Sequence, residues 1–346
     1  MATLTLNDLD ARLLTAVQEQ IPLVARPFAA IARELEVTER EVLERLAALH
    51  SGARAPVRQI GAIFDSKALG YQSTLVAAKI PEDRLPQAVA AINLHPGVSH
   101  NYRRDHAFNL WFTLAVPPDS KLGLAATASI LHCRAGATAT RMMPTLKLYK
   151  IGVRLDLGAG RTQSVKAAVA GIESSAAPVT EREKRLIRVL QSDLPIVENP
   201  FDGLADEAGV SVDELLESAR RFIGAGMMRR FSAVLRHREL GFDANAMGVW
   251  VVPPDRQDAF GATAAGFSKV SHCYLRPSYA DWPFTIFTMI HAQDRAGASK
   301  VLSAISSATG ISDYAALYST QEYKKVRVKY FTGDVEAWEA GVGACE

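Results

Sequence analysis

Val98-Ser99-His100-Asn101-Tyr102-Arg103-Arg104 returns later in the chain as Val270-Ser271-His272-Cys273-Tyr274-Leu275-Arg276. In both copies His, Tyr and Arg occupy every second position, and alternate residues of a strand project from one face, so each triplet reads as a one-faced row. The repetition extends outward from the rows. Arg12-Leu13-Leu14 through Ile21-Pro22-Leu23-Val24 to Pro27-Phe28 matches, without a gap, Arg185-Leu186-Ile187 through Leu194-Pro195-Ile196-Val197 to Pro200-Phe201. Leu69-Gly70-Tyr71 returns as Leu240-Gly241-Phe242, and Tyr149-Lys150 with Val153-Arg154-Leu155 returns as Tyr323-Lys324 with Val326-Arg327-Val328. A near-constant offset over most of the length marks a duplicated unit of domain size, far longer than a solenoid repeat.

Each unit opens with helices. Leu9, Leu13, Leu14 and Val17 share one helical face, and residues 28–35 form a second short helix. Thr38 then caps a third, with Glu41 three residues on and Val42, Leu43, Leu46 and Leu49 as its buried stripe. Ser211 and Glu214 repeat that arrangement. Three short helices with a tight turn between the last two read as a helix-turn-helix. The remainder of each unit runs strand, helix, strand, strand, helix, strand, the order of the ferredoxin-like split unit. The expected fold is therefore α+β, with two tandem units. They comprise a helix-turn-helix over 1–56, a ferredoxin-like (βαββαβ) domain over 57–157, a linker over 158–178, a second helix-turn-helix over 179–228 and a second ferredoxin-like domain over 229–346. The final strands are expected at 144–149 and 313–317.

At 346 residues and 48% hydrophobic, the chain can bury two substantial cores. A net charge of +2 gives no reason by itself to expect a polyanionic partner. Cys133, Cys273 and Cys345 form neither an even disulfide framework nor a metal-type spacing, which suits a reducing cytoplasm. No apolar run approaches the roughly 18 residues of a membrane span, and residues 1–10 lack a basic-then-apolar signal. A cytoplasmic protein with no membrane partner is expected.

A helix-turn-helix followed by a ferredoxin-like domain is the layout of Lrp/AsnC-type transcription regulators, and Ile60-Gly61-Ala62-Ile63 leading to Leu69-Gly70-Tyr71 is similar to their linker. The stretch from His100 to Thr113 instead resembles the signature of siroheme decarboxylases, an enzyme branch of that group. Ser271-His272-Cys273-Tyr274 through Arg276, Trp282-Pro283-Phe284 and Met289-Ile290-His291 resembles the partner subunit of the same family. Together they look like a fused NirDL type. The resemblance implies a carboxy-lyase that removes the C12 and C18 acetate carboxyls of siroheme, giving 12,18-didecarboxysiroheme for haem d1 or an alternative haem route. It also implies that the two ferredoxin-like halves pair through their sheets as an internal pseudo-dimer, with a further homodimer as an open expectation.

A DNA-binding regulator is the runner-up, and a non-catalytic haem-binding protein a third reading. The regulator needs cationic recognition helices, yet residues 39–46 carry three Glu against two Arg, and residues 212–218 carry three acids and no base. Both helical units therefore read as scaffold and nucleic acid as an unfavoured partner, with Arg229-Arg230 and Arg236-His237-Arg238 the basic exceptions.

The resembled substrate is an iron tetrapyrrole fringed by carboxylates, and it calls for cationic clamps, an aromatic floor and a proton donor. Arg104 and Arg276 are the expected carboxylate clamps. His100, His106 and His272 are expected as proton donors or as axial ligands to the substrate iron, with Tyr102 and Tyr274 as alternative donors or orienting groups. Trp111 and Trp282 are expected as pocket wall or core. His291 reads as packing or a secondary contact, and Arg103 faces away. The macrocycle would hold the electrons left by decarboxylation, so no cofactor beyond it is called for. The segment 277–282 is longer than its counterpart by an insertion of four residues and has no counterpart of His106, so the two potential sites are expected to be unequal in chemistry, with one or two bound substrates left open.

Overall fold

Short polar side chains start several helices, at the expected Thr38 and Ser211 and also at Asn7 and Thr180. Asn7 accepts the Asp10 amide, Thr38 that of Glu41 and Ser211 that of Glu214, while Thr180 and Glu183 form a reciprocal capping box. The computed structural model describes residues 7–52, 55–151, 178–235, 244–292 and 294–342. The first half runs α1 (Asp8–Glu19), α2 (Pro27–Leu35), α3 (Glu39–His50), β1 (Val57–Phe64), β2 (Gln72–Lys79), α4 (Leu85–Asn93), β3 (Val98–Arg104), β4 (Leu110–Val116), α5 (Gly123–Ala135), β5 (Ala139–Met143) and β6 (Lys147–Ile151). The second runs α6 (Glu181–Leu190), α7 (Asp202–Ala208), α8 (Val212–Gly224), β7 (Met228–Leu235), β8 (Ala244–Trp250), α9 (Gln257–Gly266), β9 (Val270–Leu275), β10 (Ile286–Ala292), α10 (Arg295–Thr309), β11 (Tyr314–Lys325) and α11 (Asp334–Ala340).

The strand order β5-β2-β4-β3-β11-β8-β10-β9-β6 contains two ferredoxin-like sheets that exchange their last strands. β11 pairs with β8 through residues 314–318 and then, without a break, with β3 through residues 319–325. In the first half the same path is split. β5 pairs with β2 and β6 with β9 of the other half, and Pro144 between them has no amide to continue a ladder. The final strand of the second half is thus longer than the expected 313–317, because its continuation finds a partner in the other sheet. The expected pseudo-dimer is present, built on this exchange. Helices α4 and α5 cover one face of the first sheet, over Val76, Phe112 and Leu131, and α9 and α10 cover the second over Trp250, Ile290 and Ile305. The opposite faces meet each other through Phe108, Trp111 and Met143 against Met247, Trp282, Phe287 and Leu317.

β1 and β7 were expected inside the ferredoxin-like units but stand apart as a two-stranded antiparallel ribbon joining the halves. The ribbon and all six preceding helices share one apolar core, including Leu14, Phe28, Leu46, Phe201, Leu215 and Phe231. Gly61 allows the ribbon to pass the end of α6, since a Cβ there would stand 2.6 Å from the Ser192 carbonyl oxygen. Basic groups near α3 and α8 have acidic or carbonyl partners within the chain. Arg26 pairs with Glu39 and Glu198, Arg40 with Glu44, Arg45 with Asp10 and Glu41, Arg182 with Glu214, and Arg220 donates to the Leu23 carbonyl. Carboxylates beside these guanidiniums offset the positive charge that a phosphate backbone would need, in keeping with the scaffold reading. Apart from residue 178, the linker 158–178 lies outside the described residues, as does the basic cluster at 236–238. Among the described residues no helix is long and apolar enough to cross a membrane.

Helix α11 had no sequence signal in the repeat and packs on the other half. Trp338 meets the His95 ring edge-on at 4.4 Å, and the Glu339 carboxylate accepts from Ser120 Oγ and the Lys121 amide. His95 is fully buried, with Nδ1 accepting the Gly97 amide at 3.0 Å. Burial and nearby Lys324 push its pKa from 6.5 down to about 4. Above pH 6.5 neither the folded nor the unfolded chain protonates this ring. As pH falls through 6.5 towards 4, the unfolded chain takes up a proton that the folded one refuses, and stability drops. His95→Gln, whose carbonyl can still accept from Gly97, is expected to remove about 2 kcal/mol of the stability lost between pH 7 and pH 5. Denaturant midpoints at the two pH values measure this, and parallel losses in both proteins would refute it.

Candidate active site

The exchanged strands bring the two rows into one space. His100, Tyr102 and Arg104 from β3, with His272, Tyr274 and Arg276 from β9, all line a single cavity of about 980 Å³. The number of sites, left open by the sequence, is one cavity here, because the sheets face each other and both rows line it. Trp111 of β4 and Phe287 of β10, which occupy equivalent places in the two copies, form an aromatic wall. The ribbon contributes Arg58, Phe64 and Leu235, and residues 325–330 after the crossover complete the lining. Six Arg and Lys side chains line the cavity (Arg58, Arg104, Arg276, Lys325, Arg327 and Lys329), against one carboxylate, Glu322. A cavity with this imbalance suits a polyanion with an extended apolar body.

Two of these cations are buried, Arg104 at 6% and Arg276 at 9% exposure. Arg104 Nη1 donates to the Leu317 carbonyl at 3.0 Å and Arg276 Nη1 to the Met143 carbonyl, so each reaches across to the opposite half. The Nε of each has no hydrogen-bond partner, and no ion pair with a carboxylate involves either among the described residues. Burial pushes both pKa values down to about 10, only partly offset by Tyr102 and Tyr274 respectively. The Arg276 guanidinium lies 4.8 Å from the Tyr274 ring centroid and 5.4 Å from that of Phe287. Buried cations held by carbonyls and ring faces alone keep donors in reserve for an incoming carboxylate.

The row histidines are neutral imidazoles near pH 7. Burial, with Lys325 and Arg58, pushes His100 down to about 4, and burial, with His291, Arg229 and Lys150, does the same to His272. In each the Nδ1 is held by the preceding serine, Ser99 Oγ at 2.9 Å and Ser271 Oγ at 2.8 Å. That contact fixes the ring and leaves Nε2 for the cavity. Burial also raises the pKa of Tyr274. The environments are not identical: His100 lies opposite Lys325 in the β3–β11 ladder, and His272 opposite Ile151 in the β9–β6 ladder.

His106 and Trp282 do not join the lining. His106 folds back in the turn before β4, its Nδ1 accepting the Phe108 amide at 3.0 Å and its ring meeting the edge of Trp282 at 5.3 Å. Trp282 is fully buried between the sheets, with Trp111 at 5.1 Å and Phe284 at 5.0 Å. The insertion that carries it clasps β5. Asp281 receives Arg141 through two bonds of 2.9 and 2.8 Å, and Tyr279 donates to the Met142 carbonyl. Its length therefore serves the join between the sheets. Sequence reading missed Arg58, Lys325, Arg327 and Lys329. The repeated Val326-Arg327-Val328 was a usable signal for the last three, since it marked the segment as part of the duplicated unit. His291, read as packing or a secondary contact, lines the cavity.

Comparison with known proteins agrees with both layers of the fold. The siroheme decarboxylase NirDL-like HTH domain matches residues 10–52 and 183–229, and the AsnC-like ligand binding domain matches residues 68–150 and 239–324. A siroheme decarboxylase of Hydrogenobacter thermophilus is 39% identical over 332 residues, covering 96% of this chain and 97% of the relative. A siroheme decarboxylase beta subunit of Methanosarcina barkeri is 42% identical over 145 residues, 42% of this chain and 95% of the relative. The crystal structure of the siroheme decarboxylase NirDL in co-complex with an iron-uroporphyrin III analogue superposes with a TM-score of 0.77 at 34% identity, covering 96% of this chain and 98% of that one. A single-subunit relative thus spans under half of a chain whose two halves close one basic, aromatic-walled cavity, and the chain belongs to the siroheme decarboxylase family.

Proposed function

We propose that the shared cavity binds siroheme and removes the carboxyl groups of its C12 and C18 acetates, yielding 12,18-didecarboxysiroheme. The observation that carries this reading is the pair of buried guanidiniums, Arg104 and Arg276, facing one cavity from opposite halves with unused Nε donors. Each would hold a peripheral carboxylate bidentately, fixing the macrocycle between the rows. At each acetate the bond from methylene to carboxyl carbon breaks and carbon dioxide leaves. The electron pair stays on the methylene carbon, in conjugation with the macrocycle, until one proton completes a methyl group. No electron is gained or lost overall, so the reaction needs no cofactor beyond the substrate. Neutral His100 and His272 present Nε2 to the cavity, and Tyr102 and Tyr274 stand beside them as orienting groups. One chain contains all of these parts, so the proposed catalytic unit is the single chain. The test is anaerobic incubation of the purified protein with siroheme, monitored by mass. Two successive losses of one carbon dioxide are expected, and an unchanged mass would reject the proposal.

A further inference from the structure

The two row histidines are backed by different chains. Ser271 Oγ lies 2.8 Å from His272 Nδ1 and 2.8 Å from His291 Nε2 on β10, with the Met289 carbonyl farther away at 3.3 Å. A hydroxyl has one proton and the two nitrogens stand equally close, so the arrangement that leaves a hydrogen on the cavity side of His272 is the one in which Ser271 donates to His272 Nδ1. In that arrangement His272 Nδ1 accepts, its Nε2 carries the hydrogen, and His291 Nε2–H donates to Ser271 Oγ, the tautomers that the relay below uses. In the other half, Ser99 Oγ lies 2.9 Å from His100 Nδ1 and 2.7 Å from Thr113 Oγ1, and Thr113 Oγ1 accepts the His100 amide at 3.1 Å. That chain ends on an aliphatic hydroxyl, which releases no proton near neutrality. The hydrogen-bonded path behind His272 leads to an imidazole, His291, that is only half-buried and can exchange protons with water.

We propose that His291 supplies the proton for the methylene carbon, passing it through Ser271 to Nδ1 of His272 as His272 gives up its Nε2 proton. The inference rests on the siroheme reading. As the carbon–carboxyl bond breaks, the electron pair takes the Nε2 proton of His272. The Ser271 proton moves to Nδ1, the Nε2 proton of His291 replaces it on the serine, His291 Nδ1 takes a proton from solvent, and both rings return to their starting tautomers by proton exchange with solvent before the second acetate reacts. One proton enters and one carbon dioxide leaves for each acetate. A relay of this kind avoids a standing imidazolium at His272, which burial and the neighbouring Lys150 and Arg229 disfavour. It also makes the halves unequal in function although both present the same row. His291 is a positioning and relay residue, acting through His272.

The full chain is assayed anaerobically with siroheme for carbon dioxide loss, and siroheme affinity is measured by absorption titration. His291→Gln keeps a donor to Ser271 but no exchangeable ring proton, and is expected to lower kcat at least about tenfold at unchanged affinity. His291→Ala is expected to be equally slow and to regain rate with added imidazole, whereas Ser271→Ala gains nothing from it. A wild-type rate in His291→Gln overturns the relay. So does a slow His291→Ala that still binds siroheme and ignores imidazole. If His291→Ala fails to bind siroheme, His291→Gln decides alone. The two carbon dioxide losses of the wild type, measured in the same run, separate failure of the relay from failure of the decarboxylase reading.

Discussion

Arg276→Met is expected to weaken siroheme binding by at least about tenfold while raising the thermal midpoint of the substrate-free protein. The two effects share one cause. Arg276 is a buried cation with no carboxylate partner among the described residues, one carbonyl bond, an unsatisfied Nε and two ring faces beside it. Burial outweighs these contacts, since the net effect of the site is to push the guanidinium pKa down to about 10. Keeping the charge in the empty cavity therefore costs stability. Methionine fills comparable volume without that cost, and the Met143 carbonyl it abandons tolerates the loss better than a charge would. A bound carboxylate reverses the balance, because a charge-assisted, bidentate contact in a desolvated site is worth about 1.5–3 kcal/mol. Arg104→Met should move both quantities in the same directions, since Arg104 is held by the Leu317 carbonyl and is likewise unpaired at Nε. Absorption titration and calorimetry measure the two effects. Unaltered siroheme affinity in both variants would remove the clamp, and a lowered midpoint would mean that the ring and carbonyl contacts outweigh the burial.

The features legible in the sequence were local or periodic. The row His-x-Tyr-x-Arg was readable because a strand alternates faces at every second residue, and the caps at Thr38 and Ser211 were readable because each bonds within three residues. The duplication made two copies of one fold legible in outline. Non-local pairing was not. Nothing within residues 319–325 announces that β11 leaves one sheet for the other, so Lys325, Arg327 and Lys329 were not placed at the cavity. His106 and Trp282 carried as much family resemblance as the row, but a turn residue can face in or out, and here Trp282 joins the core between the sheets while the half-buried His106 packs on its edge. His291 was undervalued for the same reason: its partner Ser271 lies on the neighbouring strand, twenty residues away.

His272→Gln should lower kcat for the doubly decarboxylated product about a hundredfold or more, with siroheme affinity within about threefold of wild type. The Nε2 of His272 faces the cavity while its Nδ1 is held by Ser271, so the ring is fixed and its free end has one direction in which to act. A neutral imidazole contributes little to holding a polyanion, which falls to the arginines. Its contribution arises when the carbon acquires a proton, and an interaction made only at that point changes kcat and leaves binding alone. Glutamine preserves the hydrogen bond to Ser271 and much of the volume but cannot exchange a proton at its far end. His106→Gln provides the contrast. Its ring lies outside the cavity, bonded to the Phe108 amide and packed on Trp282, so turnover is expected to stay within about threefold. If the two variants lose activity equally, the reacting carbon must be served from the turn before β4, and the row on β9 would then be a binding surface alone. If only His272→Gln loses it, the free imidazole edge in the cavity is where the proton reaches the substrate.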